Sequence, residues 1–146
     1  MDAIDLKIID LLQKNARLSI TELSRIISLS RPSTNERVTK LLEKGVIEQF
    51  TALISAKKIG YHVSFYIQVS ELKIPYTQFV EVLLKEPAVT EIHAVTGSAN
   101  YILKAFTKDI HQMHELLAKL MPYGKMNTSV ILNTPLENKP LAPIKQ

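Results

Sequence analysis

A chain of 146 residues with 46% apolar content carries enough hydrophobic side chains for one ordinary domain or two small ones. It has no cysteine, which removes disulfides, thiolate zinc sites and cysteine nucleophiles together and suits a reducing compartment. A formal charge of +4, 18 basic residues against 14 acidic, favours a polyanionic partner only mildly.

No apolar run approaches the roughly 20 residues that span a bilayer, and the start MDAIDLK lacks the basic end and apolar centre of a signal peptide. A cytoplasmic protein without a membrane partner is expected. The charge is unevenly placed: between residues 16 and 45, Arg17, Arg25, Arg31, Arg37, Lys40 and Lys44 face only Glu22, Glu36 and Glu43.

Ile4, Ile8, Leu11 and Leu12 share one helical face, with Asp2 as N-cap and Asp5 at the third helical position, so residues 2–15 predict a first, supporting helix. Ser19 followed by Glu22 has capping-box spacing, and Leu18 with Leu23 can form a hydrophobic staple. Leu23, Ile26 and Ile27 continue that second helix to Ser28-Leu29-Ser30, where Ser30 can cap a third helix with Pro32 in its first turn. Two short helices across a tight turn form a helix-turn-helix, whose second member lies in the major groove.

In the third helix, residues 31–44, Val38, Leu41 and Leu42 share one side with Thr34. Ser, Thr, Asn and Arg are the residue types that reach base edges and phosphates. The candidate DNA-contacting set is Arg17, Ser19, Ser30, Arg31, Ser33, Thr34, Asn35, Arg37 and Lys40. The bland alternative is a solvated face of an amphipathic helix, and the same hairpin also serves protein contacts.

After Gly45, a natural helix terminator, the β-branched and aromatic run Val46–Ile54 reads as a strand, a wing or a tether. Residues 55–60 read as a linker closed by Gly60. From Tyr61 the periodicity changes. Val63, Phe65, Ile67 and Val69 alternate with polar residues, a helix follows over 76–86, strands over 89–96 and 100–106, a helix ending at Pro122, and a last strand near 126–133.

The order β-α-β-β-α-β predicts an α+β ferredoxin-like sandwich after an N-terminal (winged) three-helix domain. The domains expected are 1–54, 61–134 and a patternless tail, 135–146, that is extended unless it docks on a neighbouring subunit. An uncovered sheet face, Tyr66 among its residues, favours self-association.

His111 and His114 stand three apart on one helix, but no cysteine and no HExxH carboxylate completes a site, so no metal is expected. No glycine-rich phosphate loop, GxSxG elbow or supported catalytic order occurs, so neither catalytic residues nor a cofactor are assigned.

The segments Ile4-Asp5, Ile8-Ile9-x-x-Leu12, Arg17-Leu18-Ser19, Glu22-Leu23-Ser24, Leu29-Ser30, Glu36-Arg37-Val38, Leu41-Leu42-Glu43, Gly45-Val46-Ile47 and the later Gly97-x-x-x-Tyr101-x-Leu103 fall in one order and spacing. In these the chain resembles the Lrp/AsnC (feast/famine) family of prokaryotic transcription regulators, over nearly its whole length. The resemblance implies dimers built through the C-terminal sheets, often assembled into octamers, that bind or wrap double-stranded DNA and answer to small effectors, commonly amino acids.

It also implies an effector site at a subunit interface, here Gly97, Ser98, Ala99, Asn100 and Tyr101 with Thr128 on the final strand. Family members that bind amino acids usually carry acids where this chain has Ser98 and Asn100. A desolvated ammonium without a carboxylate costs several kcal/mol, on the order of a thousandfold in affinity. The expected function is a sequence-specific, nucleoid-associated transcription regulator. An architectural DNA-wrapping protein without an effector is the second reading, and a small ferredoxin-fold enzyme, resting on fold analogy alone, is the third.

Overall fold

The computed structural model describes residues 1–142, and the chain divides into two units, one of Met1–Leu53 together with the segment from Leu136 onward, the other Ile54–Pro135. In the first unit, helices α1 (Ala3–Lys14), α2 (Ile20–Ile27) and α3 (Arg31–Glu43) close around Ile8, Leu12, Leu23, Ile27, Val38 and Leu41. Each helix starts on a side-chain cap.

Asp2 with Asp5 and Ser19 with Glu22 form complete capping boxes, and the Ser30 hydroxyl accepts the Ser33 N–H. The turn between α2 and α3 is made by Ser28 in the left-handed region, φ 57°, which lets the Leu29 N–H reach back to the Ser24 carbonyl at 3.0 Å. The turn is therefore short, and α3 leaves it at a fixed angle.

α3 ends in a Schellman motif. Gly45, at φ 66°, donates to Leu42 and Val46 donates to Leu41, each at 2.9 Å. The Ile47 N–H also returns to Leu41, at 3.1 Å. This corrects the strand expected over 46–54: among the described residues none forms between α3 and the next unit. The first two donors of the segment are consumed by the helix end, and β-favouring side chains cannot make a strand without a neighbour to complete the ladder.

The second unit opens with a 3₁₀ turn, Ala56–Ile59, ended by Gly60, and continues β1 (Val63–Ser70), α4 (Tyr76–Leu84), β2 (Val89–Ala94), β3 (Tyr101–Thr107), α5 (Ile110–Leu120), a 3₁₀ turn Met121–Tyr123 and β4 (Lys125–Val130). The four strands pair antiparallel in the order β2-β3-β1-β4. This is the expected ferredoxin-like α+β arrangement.

Alternation sends Phe65, Ile67, Val69, Leu103 and Ala105 under the helices, where they meet Phe79, Leu83, Met113, Leu116 and Leu120. α4 stops at Leu84, two residues short of expectation, because Lys85 and Glu86 close it with bonds to Val82 and Leu83 ahead of Pro87. β4 stops at Val130 instead of 133, its last tie to β1 being Ile131 N–H to the Ser64 carbonyl at 2.8 Å.

Candidate nucleic-acid interface and ligand loop

α3 carries core on one side only, so its remaining circumference is what the first unit can present. Arg31, Asn35 and Thr39, spaced by four, follow one another down one flank, while Ser33, Arg37 and Lys40 descend the other. The two flanks are differently employed.

Arg37 donates to Asp2 and to Asp5, both at 2.7 Å, joining the middle of α3 to the capping box of α1. The bonds raise the Arg37 pKa, through Asp2 first and then Asp5. The Asp2 carboxyl is held below the usual range, first by the Asp5 backbone N–H it accepts and then by Arg37. Lys40 is paired with Glu36 at 2.6 Å, which raises the ammonium pKa and lowers that of the carboxyl.

The opposite flank has no such internal partners: among the described residues, the exposed Arg31 and Asn35 side chains make no hydrogen bond or ion pair. Arg31 stands at the first position of the helix, where the free N–H groups and the dipole also attract phosphate. Exposed Arg17 and Arg25 flank α2 on either end.

Besides Arg37 and Lys40, three more of the nine candidates have other work. Thr34 is fully buried and donates its hydroxyl to the Ser30 carbonyl at 2.9 Å, so it is a core residue with no surface for DNA. Ser19 is committed to its cap, its hydroxyl donating to Glu22 at 2.7 Å while accepting the Glu22 N–H. That pair lowers the Glu22 pKa. Ser30 is exposed but serves as the α3 cap.

In the second unit the β2–β3 connection is pinned by Val95 N–H to the Asn100 carbonyl at 3.1 Å and Asn100 N–H to the Val69 carbonyl at 2.7 Å. Gly97 turns it at φ 107°, a conformation L side chains rarely adopt. Ser98 and Ala99 line a recess of about 610 Å³ with Gln68, Val95, Thr96 and Ile102. Asn100 and Tyr101 line a smaller one, about 210 Å³, with Tyr76.

Tyr101 is mostly core, its ring 6.3 Å from Tyr76 and 5.8 Å from Phe79. Thr128 does not join this group. It lies on β4, at the sheet edge opposite the β2–β3 hairpin, and pairs with Ile67 on the helix-covered side. Among the described residues no acidic side chain lines either recess.

The other sheet face carries Tyr66, Gln68, Ile102, Phe106 and the Lys104 ammonium, which lies 5.6 Å from the Phe106 ring and 3.4 Å from Glu91. His93 bonds Glu91 at 3.0 Å and His111 faces Glu115 at 3.5 Å. No group of three metal-ligating side chains gathers among the described residues, and no described helix is long and apolar enough to cross a membrane.

Residues 1–48, which hold all three helices and their caps, match the family model for a winged helix-turn-helix DNA-binding domain. Residues 64–141 match that for the Lrp/AsnC ligand binding domain. The chain belongs to the Lrp/AsnC family of transcription regulators.

Among its relatives, the HTH-type transcriptional regulator LrpC of Bacillus subtilis is 35% identical over 91% of this chain and 92% of its own. The regulator FL11 of Pyrococcus horikoshii is 32% identical over 99% of this chain and 97% of its own. The solved structure of B. subtilis LrpC superposes with a TM-score of 0.89 at 34% identity, covering 95% of this chain and 99% of that one. A transcriptional regulator of Neisseria meningitidis, solved as an L-Met complex, gives 0.88 at 29% identity, covering 97% and 96%.

Within this Lrp/AsnC chain, sequence reasoning missed the acids that hold Arg37. Asp2 and Asp5 were legible as caps, but a partner 32 and 35 residues away leaves no periodic signal.

Proposed function

We propose that this chain is a sequence-specific transcription regulator that reads double-stranded DNA with α3. It works in the cytoplasm as a homodimer, or as an octamer built from four dimers, joined through the open sheet face that carries Tyr66 and Phe106. The observation that carries the reading is the flank of α3 on which Arg31 and Asn35 are exposed and unengaged, at the start of a capped helix. Arg can bond guanine and Asn adenine in two places each, which is the chemistry of base reading. Neither a cofactor nor an enzymatic activity is proposed.

The test is titration against an operator selected from a random duplex pool and against random DNA, at two salt concentrations. Selective binding is expected. Equal affinities with a steep salt slope would favour an architectural protein instead, and no binding would end both readings.

For the 97–101 loop we propose a small effector that needs no carboxylate partner. The match of residues 64–141 to a ligand binding domain and a relative solved as an L-Met complex support a small ligand, and the recess here offers Gln68, Thr96 and Ser98, neutral donors and acceptors without an acid. Free α-amino acids at millimolar concentration are expected to shift the unfolding temperature little, and a rise of several degrees would overturn the proposal.

A further inference from the structure

Gln13, exposed in the last turn of α1, makes a contact that neither DNA reading nor ligand binding uses. Its amide oxygen accepts the Leu141 N–H at 2.8 Å and its amide nitrogen donates to the Leu141 carbonyl at 3.0 Å. A carboxamide presents a donor and an acceptor side by side, as a neighbouring strand would, so it holds an extended segment by its backbone.

The contact sits at a largely apolar recess of about 580 Å³, walled by Ile9, Leu12, Ala16, Ile47 and Phe50, with Leu141 and Ala142 completing it. Pro140 fixes the backbone just before Leu141 and lowers the entropy lost on docking. The chain therefore leaves the helical unit at Leu53, builds the sheet unit, and comes back at Leu136.

We propose that Leu136–Ala142 is a strap that closes on Gln13 of its own chain. By giving each DNA-reading unit a second tie to its sheet unit, it sets the spacing between two half-sites that the oligomer accepts. This rests on the oligomeric DNA-reading function proposed above. A reader on one flexible tether samples many separations, whereas two ties concentrate it around one, and the strength of two-site binding follows that local concentration.

The absence of native cysteine makes the docking directly testable. In the full chain carrying Ala16→Cys and Ala142→Cys, mild oxidation should give an intrachain disulfide faster when folded than in urea. A bond only between chains, or none, would overturn the strap.

The second arm uses Gln13→Ala and Leu141→Pro, which removes the donated N–H, on duplexes bearing two selected half-sites moved apart in single base-pair steps through one helical turn. The unsubstituted protein should prefer one phasing by about tenfold, and both variants should flatten that preference while keeping single-site affinity within about twofold. An unchanged spacing profile would overturn the strap's role. Failure of the unsubstituted protein to bind a single site would instead strike the underlying reading, with the disulfide arm still deciding whether the strap docks.

Discussion

The two flanks of α3 bear similar residues and are put to different uses. On one, Arg37 bridges Asp2 and Asp5 and Lys40 is taken by Glu36, so the cations are matched inside the unit. On the other, Arg31 and Asn35 face solvent with no partner among the described residues. An arginine on such a helix is thus not by itself free for DNA: the flank turned toward α1 is engaged with Asp2 and Asp5, and the flank turned away is the one proposed to read.

The largest effect that would break this comparison is expected at Asn35. Asn35→Ala should narrow the gap between operator and random DNA by about 1–3 kcal/mol, and Arg31→Ala by a similar amount if it reads guanine. Competition titrations measure both. An unchanged ratio in the two variants would reduce the free flank to a solvated surface.

Next comes the buried residue between the flanks. Thr34→Val keeps shape but loses the bond to the Ser30 carbonyl, and denaturant unfolding should report a loss of about 0.5–1.5 kcal/mol with operator discrimination intact. Lost discrimination at unchanged stability would return Thr34 to the reading set.

Arg37→Ala sharpens the contrast from the locked side. Thermal unfolding of the helical unit should occur earlier, while discrimination between sequences should change less than in Asn35→Ala. A greater loss of discrimination in Arg37→Ala would show that Arg37 leaves its acids to read DNA.

The smallest effect is in acid. Asp2 and Glu22 have folded pKa values below their unfolded ones, so their stabilisation is present above the unfolded values and is lost as pH falls through the folded ones. Midpoints measured from pH 5 downward should begin to fall near pH 4, and more gently in Arg37→Ala. Identical slopes would mean that the Arg37 bridge adds nothing to the backbone N–H bonds at Asp2.

Much of the architecture was legible because it is local. The boxes Asp2/Asp5 and Ser19/Glu22, the Ser30 cap and the alternation Phe65, Ile67, Val69 are decided by neighbours two to four residues apart. The sequence also placed Arg31 and Asn35 on a helix able to enter a groove; its spacing set Thr34 on the apolar side with Val38 and Leu41, and only its residue type put Thr34 among the DNA-contacting candidates.

By itself, then, the sequence determined the helix-turn-helix, the β-α-β-β-α-β order and a 97–101 loop without acids, all written in caps, periodicity and residue type. Only the tertiary structure decided that Arg37 belongs to α1, that Val46 and Ile47 close a helix instead of starting a strand, that Thr128 lies across the sheet from the loop, and that Leu141 returns to Gln13. Each depends on which partner folding brings within hydrogen-bond reach. A donor or a charge in the sequence does not name its partner; packing does.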